Sequence, residues 1–232
     1  MYKRILLKLS GEAMMGDLPY GISHEACFEW AQSIKELVDQ GIQVALVIGA
    51  GNIFRGLQGE KMGFQRTPAD HMGMLSTIIN GLAFEQALIK VGVKSVIMSA
   101  VDCHPIAEPY NWQKALYLMD QGRVMLFVGG TGSPYFTTDT AAALRASQMS
   151  ADILMKGTKV NGVFSKDPVL YPDAERYESI SYDEVLAKNL GVMDATSIAL
   201  CRSNKLPILV FNMKTKNLLE ALQNKDIATI VH

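Results

Sequence analysis

The chain has 232 residues, 49% hydrophobic and 19% charged, enough for one large domain or two small lobes. Its formal net charge is −1, so it has neither the basic excess of a duplex-binding protein nor an acidic solvated tail, and no direct nucleic-acid role is expected. Three cysteines, Cys27, Cys103 and Cys201, lie far apart without metal-like spacing and read as buried free thiols in a reducing cytoplasm.

The chain opens MYKRILLKLSGEA, and Arg4–Leu9 reads as a strand. Lys8 interrupts this apolar run too early for an export signal. Ser23 can cap a helix running to Gly41, and Val44–Ile48 is a second strand. Thr67-Pro68-Ala69-Asp70 sets a cap, a proline in the first turn and an acid at the third position of a helix reaching Gly92. Strand Ser95–Ser99, a helix opened by Asn111 and stopping near Gly122, strand Val124–Val128 and helix Thr140–Met149 follow. Beyond strand Ile153–Met155, residues 157–180 form the longest irregular stretch, with a predicted β-hairpin over Lys159–Ser165. Ser181-Tyr182-Asp183-Glu184 is a capping box for a helix ending at Gly191, and Asp194 precedes another helix. Strand Pro207–Phe211, a helix capped by Thr215 and strand Thr229–Val231 close the chain.

Alternating strands and helices predict an α/β fold with right-handed crossovers. Most strands are continuous apolar runs, as in a parallel sheet covered on both faces. All the uninterrupted apolar runs are strand-sized, short of the ~20 residues of a membrane helix. A soluble, cytoplasmic protein is expected. The stretch 157–180 is a natural seam between an N-terminal lobe of about residues 1–150 and a C-terminal lobe of about residues 151–232.

In open α/β sheets, ligands bind beyond the carboxyl ends of the strands. Here those ends read Lys8-Leu9-Ser10-Gly11-Glu12, then Gly49-Ala50-Gly51-Asn52-Ile53-Phe54-Arg55-Gly56, Gly129-Gly130-Thr131-Gly132-Ser133, and Lys156-Gly157-Thr158-Lys159. Glycines let backbone N–H groups approach an anion, and lysine and arginine add full charge. Four such ends, three with a cation, point to a phosphorylated ligand, although each glycine taken singly also fits a tight turn. GxxxxGK[ST] is absent, the kinase HRD and DFG set is absent, and Phe54 stands where a dinucleotide fingerprint needs its third glycine. Lys8, inside Leu6-Leu7-Lys8-Leu9, is costly to bury unless its ammonium reaches a partner, a ligand or solvent. The histidines His24, His71, His104 and His232 are scattered and read as structural.

The segments KRILLKLSGE, IGAGNIFRG at 48–56, DHMGML at 70–75, GTGSPYFTTDTAA at 130–142 and TKVNGVFSKDP at 158–168 resemble the bacterial UMP kinase family of the amino-acid kinase superfamily, collinearly along the chain. The resemblance implies a single amino-acid kinase domain, a three-layer α/β/α sandwich, whose N-terminal lobe holds UMP and whose C-terminal lobe holds ATP. It implies ATP-dependent phosphorylation of UMP to UDP in pyrimidine nucleotide biosynthesis, and a homohexamer. Mg²⁺ would arrive carried on ATP, with no protein metal cage.

By the same resemblance, UMP is bound by Ala50, Asp70 and the segment Thr131, Gly132, Ser133, Pro134, Tyr135, Phe136, Thr137 and Thr138, with Tyr135 and Phe136 walling the pocket. ATP is bound by Lys8, Ser10, Gly11, Gly51, Arg55, Thr158, Phe164 and Asp167. Lys8, Arg55, Asp139 and Asp194 are the catalytic candidates, and Lys159 is a further candidate. Read without the family, residues 131–138 serve equally as a loop and cap cluster, Asp70 as a first-turn acid, and Asp139 and Asp194 as helix caps. Ala50 replaces a usual family glycine. UTP feedback is implied. GTP as an activator is also implied by the resemblance, but Glu85 and Ile89 stand where basic contacts are expected and put it in doubt. The alternatives are another small-molecule kinase of the superfamily or a nucleotide-sensing regulator on the same fold.

Overall fold

A computed structural model describes residues 2–215 and 217–232. The strands are β1 (Arg4–Leu9), β2 (Gln43–Ile48), β3 (Ser95–Ser99), β4 (Glu108–Pro109), β5 (Val124–Val128), β6 (Ile153–Thr158), β7 (Ser179–Ile180), β8 (Ile208–Asn212) and β9 (Ala228–Val231). The helices are α1 (His24–Asp39), α2 (Gly56–Lys61), α3 (Arg66–Lys90), α4 (Trp112–Asp120), α5 (Thr138–Gln148), α6 (Tyr182–Ala187), α7 (Ala195–Ser203) and α8 (Leu218–Gln223). One sheet runs β4-β3-β5-β2-β1-β6-β8-β9-β7, parallel at every pairing except β8 with β9.

Side chains alternate across a strand, and β1 shows how that builds two cores. Ile5, Leu7 and Leu9 pack with Trp30 and Ile34 of α1 and Phe84 and Leu88 of α3. Leu6 turns to the opposite face, where Ala141, Ala142 and Met149 lie. Helices therefore cover both faces, as the continuous apolar runs predicted. Lys8 shares the parity of Leu6, so the pleat turns it toward α5.

α3 is long and apolar enough, by length and composition, to cross a membrane, and half of its most apolar window is buried inside the fold. It packs along α1, α2 and β3, the place of a core helix. Cys27 and Cys201 are buried free thiols, but Cys103 is only partly buried, unlike the expectation for all three.

Several local expectations need correction. α3 starts at Arg66 with Gln65 before it and no side-chain cap, so Thr67 is already helical. Pro68 is tolerated there because first-turn N–H groups have no intrahelical partner. Asp70 then lies beyond the first turn and serves tertiary contacts instead of the helix dipole. α5 starts at Thr138, two residues early, because the Thr137 hydroxyl accepts from the amides of Asp139 and Thr140. Asn217, not Thr215, caps α8. No hairpin forms over 159–165: the amide of Val163 donates to the Thr229 hydroxyl at 2.9 Å, and Phe164 bridges to Arg176. That segment is tied to β9 rather than folded on itself. β4 and β7, of two residues each, and the six-residue α2 are too short to leave a periodic signal.

Candidate active site

β5, β2, β1 and β6 are consecutive in the sheet, so their glycine-rich exits share one rim. Lys8 near the end of β1 and Lys156 in β6 are register partners. Asp139, in the first turn of α5, meets both: Lys8 Nζ lies 2.8 Å from Oδ1 and Lys156 Nζ 2.7 Å from Oδ2. Lys156 also donates to the Val192 carbonyl. The Lys8 contact is a close ion pair without hydrogen-bond alignment, and Oδ1 is otherwise a buried unsatisfied oxygen.

Burial alone would raise the Asp139 pKa, but Lys8 and Lys156 together hold it below its ordinary value. Burial pushes Lys156 below the usual lysine range, and the attraction of Asp139 only partly offsets this.

Above this trio lies a cavity of about 340 Å³. Ser10, Gly11, Gly49, Ala50 and Gly51 line one wall, Arg66, Asp70 and Thr77 of α3 another, and Thr131, Phe136, Thr137 and Thr138 a third. The loops approach so closely that glycine is needed at particular points. A Cβ on Gly11 would sit 2.3 Å from Asn52 Oδ1 and 2.6 Å from the Gly51 amide nitrogen, and one on Gly56 would sit 2.0 Å from Asp70 Oδ1. Asp70 Oδ2 accepts from the Tyr135 amide at 2.8 Å and from Arg66 Nε at 2.8 Å.

Arg55 lines the cavity and pairs with Glu12 at 2.5 Å; Lys159 pairs with the other Glu12 oxygen at 2.6 Å. Lys159, led by its hydrogen bond, holds the Glu12 carboxyl below its ordinary pKa, with Arg55 adding to the effect against partial burial. Chemically, the arrangement is a polar slot with cations at its floor and mouth and backbone amides in its wall. It suits a bound phosphate and the alignment of a second one.

The amino acid kinase family matches residues 3–212. The uridylate kinase of Protochlamydia amoebophila is 56% identical over 212 residues, covering 91% of this chain and 84% of that protein. That of Bacteroides thetaiotaomicron is 48% identical over 232 residues, covering 100% of this chain and 98% of its own. The crystal structure of UMP kinase from Ureaplasma parvum superposes with a TM-score of 0.94 at 37% identity, covering 100% of this chain and 99% of that one. The chain belongs to the uridylate kinases of the amino acid kinase family.

Of the residues that the uridylate kinase resemblance marks, Lys8, Ser10, Gly11, Ala50, Gly51, Arg55, Asp70, Thr131, Phe136, Thr137, Thr138 and Asp139 surround the one cavity. Gly132, Ser133, Pro134 and Tyr135 are not in its lining. Tyr135 is 68% exposed with φ 71°, so its ring does not wall the cavity; it lies under the Arg66 guanidinium while its amide reaches Asp70. Asp194 also stands back from the cavity. It caps α7 through the Ser197 amide and accepts from the hydroxyls of Thr137, which lines the cavity, and Thr140.

Thr158, Phe164 and Asp167 lie outside the cavity, along the β6 exit. The Thr158 hydroxyl is taken up by backbone carbonyls, and Asp167 caps its own turn through the Val169 amide. Lys159, read from sequence as a weak candidate, is exposed yet paired with Glu12. Lys156, Glu12 and Arg66 were not singled out from sequence. Lys156 directly follows the apolar run Ile153-Leu154-Met155 and in sequence reads as one more cation at a glycine-containing strand exit. Glu12 and Arg66 carried no signal, because each is an ordinary surface-type charge until its distant partner is known.

Proposed function

We propose that the chain transfers the γ-phosphoryl group of ATP to UMP, giving UDP and ADP. An oxygen of the UMP phosphate attacks the γ-phosphorus, that new P–O bond forms, and the bond to the β,γ-bridging oxygen breaks, leaving the electron pair on ADP. The observation that carries this reading is the Lys8–Asp139 pair lining a glycine-walled cavity, with Lys156 on the other oxygen of Asp139 behind it. Phosphoryl transfer asks for alignment and positive charge more than for covalent chemistry, and the trio supplies a net positive charge held in place.

On this reading, Lys8 touches the transferring phosphoryl, and Asp139 holds Lys8 and Lys156 in position. Arg55 and the amides around Gly51 take the phosphates. Asp70 takes the ribose hydroxyls, and residues 131–138 enclose the nucleoside. Asp194 acts through Thr137 and Thr140. ATP reaches the trio from the β6 side, past Thr158, Phe164 and Asp167, so residues 1–150 serve mainly UMP and residues 151–232 mainly ATP. Mg²⁺ carried with ATP would supply further positive charge to the transferring phosphoryl group. Among the described residues no group of three metal-ligating side chains stands ready, and the two cavity carboxylates, Asp70 and Asp139, are already engaged by cations.

The exposed apolar residues Met72, Leu75 and Ile79 on α3 fit association of copies, in a dimer as well as in the homohexamer that the family resemblance implies, and the enzyme would serve pyrimidine nucleotide synthesis in the cytoplasm. UTP would compete in the UMP pocket. GTP would be the candidate activator, with Glu85 and Ile89 standing against it. ADP release measured with UMP, CMP, AMP and acetylglutamate as acceptors tests the reaction. Turnover with UMP above the others is expected; turnover with acetylglutamate alone would overturn it.

A further inference from the structure

We infer that Asn80 is a positioning residue for the reaction: through Asn52 it sets the two glycine-rich loops that follow β1 and β2 against one another. The inference rests on the proposed reaction and adds to it a residue outside the cavity lining.

Asn80 lies on α3 and is 0% exposed; Asn52 is 3% exposed. Their amides bond reciprocally, Asn80 Nδ2 to Asn52 Oδ1 at 2.8 Å and Asn52 Nδ2 to Asn80 Oδ1 at 2.9 Å. Asn80 Nδ2 also donates to the Gly49 carbonyl at 2.8 Å, and Asn52 Nδ2 to the Gly21 carbonyl at 2.9 Å. The peptide of Gly49 is thereby held from both sides, since its amide donates to the Leu9 carbonyl of β1 at 2.9 Å. Asn52 Oδ1 in turn packs where a side chain on Gly11 would have to go. One buried pair thus braces the Gly49–Asn52 loop on the acceptor side and Gly11, three residues from Lys8, on the other.

A buried polar pair costs stability unless every member is satisfied, and an apolar pair would fill the space more cheaply. What the amides add is a fixed placing of two loops whose own backbones carry the phosphate contacts, and misplacement by about 1 Å can cost about 10²-fold in rate.

The test is Asn80→Ala, Asn52→Ala and the double variant, each in the full chain, assayed well below its melting temperature. Each single variant is expected to lose about ten- to a hundred-fold in kcat/KM, and the double variant little more than either. Singles that melt earlier yet keep the parent kcat/KM would overturn the inference, and so would losses that multiply in the double variant. If Asn80→Ala does not fold, Asn80→Ser is read against the same criteria. Turnover of UMP by the parent tests the reaction itself. The ratio of variant to parent, with whichever acceptor the parent uses, tests Asn80 separately.

Discussion

Lys8 and Lys156 are register partners on the adjacent parallel strands β1 and β6, and the single carboxylate of Asp139 lies between their ammonium groups. Two buried cations side by side would repel each other and lose hydration. One anion between them offsets most of that cost while leaving an excess positive charge at the cavity floor. The arrangement needs three segments at once: two strands in register, and a helix whose start is fixed by the Thr137 cap.

Removing Lys8 should affect turnover far more than folding. In Lys8→Met, Lys156 still neutralises Asp139, and the methionine has about the length of the lysine stem. We expect kcat to fall about 10²-fold or more, as for loss of one preorganised donor. Steady-state kinetics beside a thermal melt checks this, and unchanged turnover would remove Lys8 from the chemistry.

Asp139→Asn should be costly and pH-dependent. The substitution leaves two buried cations without a counter-charge, a loss of about 3–5 kcal/mol for a broken buried pair. The folded pKa of Asp139 is lowered from its ordinary 3.8, so its contribution is fully present above that value and is lost as pH falls through the lower, folded one. The stability gap between parent and variant should therefore be flat near neutrality and shrink only below about pH 4. Urea unfolding across that range reads it; a gap that closes already around neutral pH would contradict the assignment.

Asp70 accepts from the Tyr135 amide and from Arg66 at the cavity wall, where the proposed reaction places the ribose of UMP. Asp70→Asn keeps the shape but removes the charge that both donors face. Hydrogen bonds to charged groups contribute about 1.5–3 kcal/mol, so the KM for UMP should rise about ten- to a hundred-fold with a smaller change in kcat. A fall in kcat alone would argue against a ribose-side role.

Gly51→Ala probes how closely Arg55 packs over its loop. The added Cβ would lie 2.5 Å from Arg55 Nη2, so the guanidinium must swing away from Gly51. Arg55 is half-exposed and flexible, so folding should be little affected. The KM for ATP or for UMP, whose phosphates Arg55 and the Gly51 amide would hold, should rise by about 10-fold, the worth of one charged contact. An unaltered KM in a folded variant would place the phosphate elsewhere.

Much of the arrangement is legible in linear order. Continuous apolar runs mark β1, β2, β5 and β6 because strands buried on both faces have no polar side to alternate. The glycines and cations at their ends are visible because βα loops are short. Lys8 is conspicuous because a charge inside an apolar run demands a partner. The partner itself was not legible. Asp139 could be read as a cap until the Thr137 hydroxyl took that role, and Lys156 gained its meaning only from lying level with Lys8 across the strand pair. Glu12 joins Arg55 to Lys159, and Asn80 joins Asn52 to Gly49, over separations that no local pattern encodes. Local chemistry decides which segments become strands, helices and tight turns, because those preferences are settled within a few residues. Which side chains meet depends on sheet order, register and helix placement, which arise only when the whole chain buries its two apolar faces together.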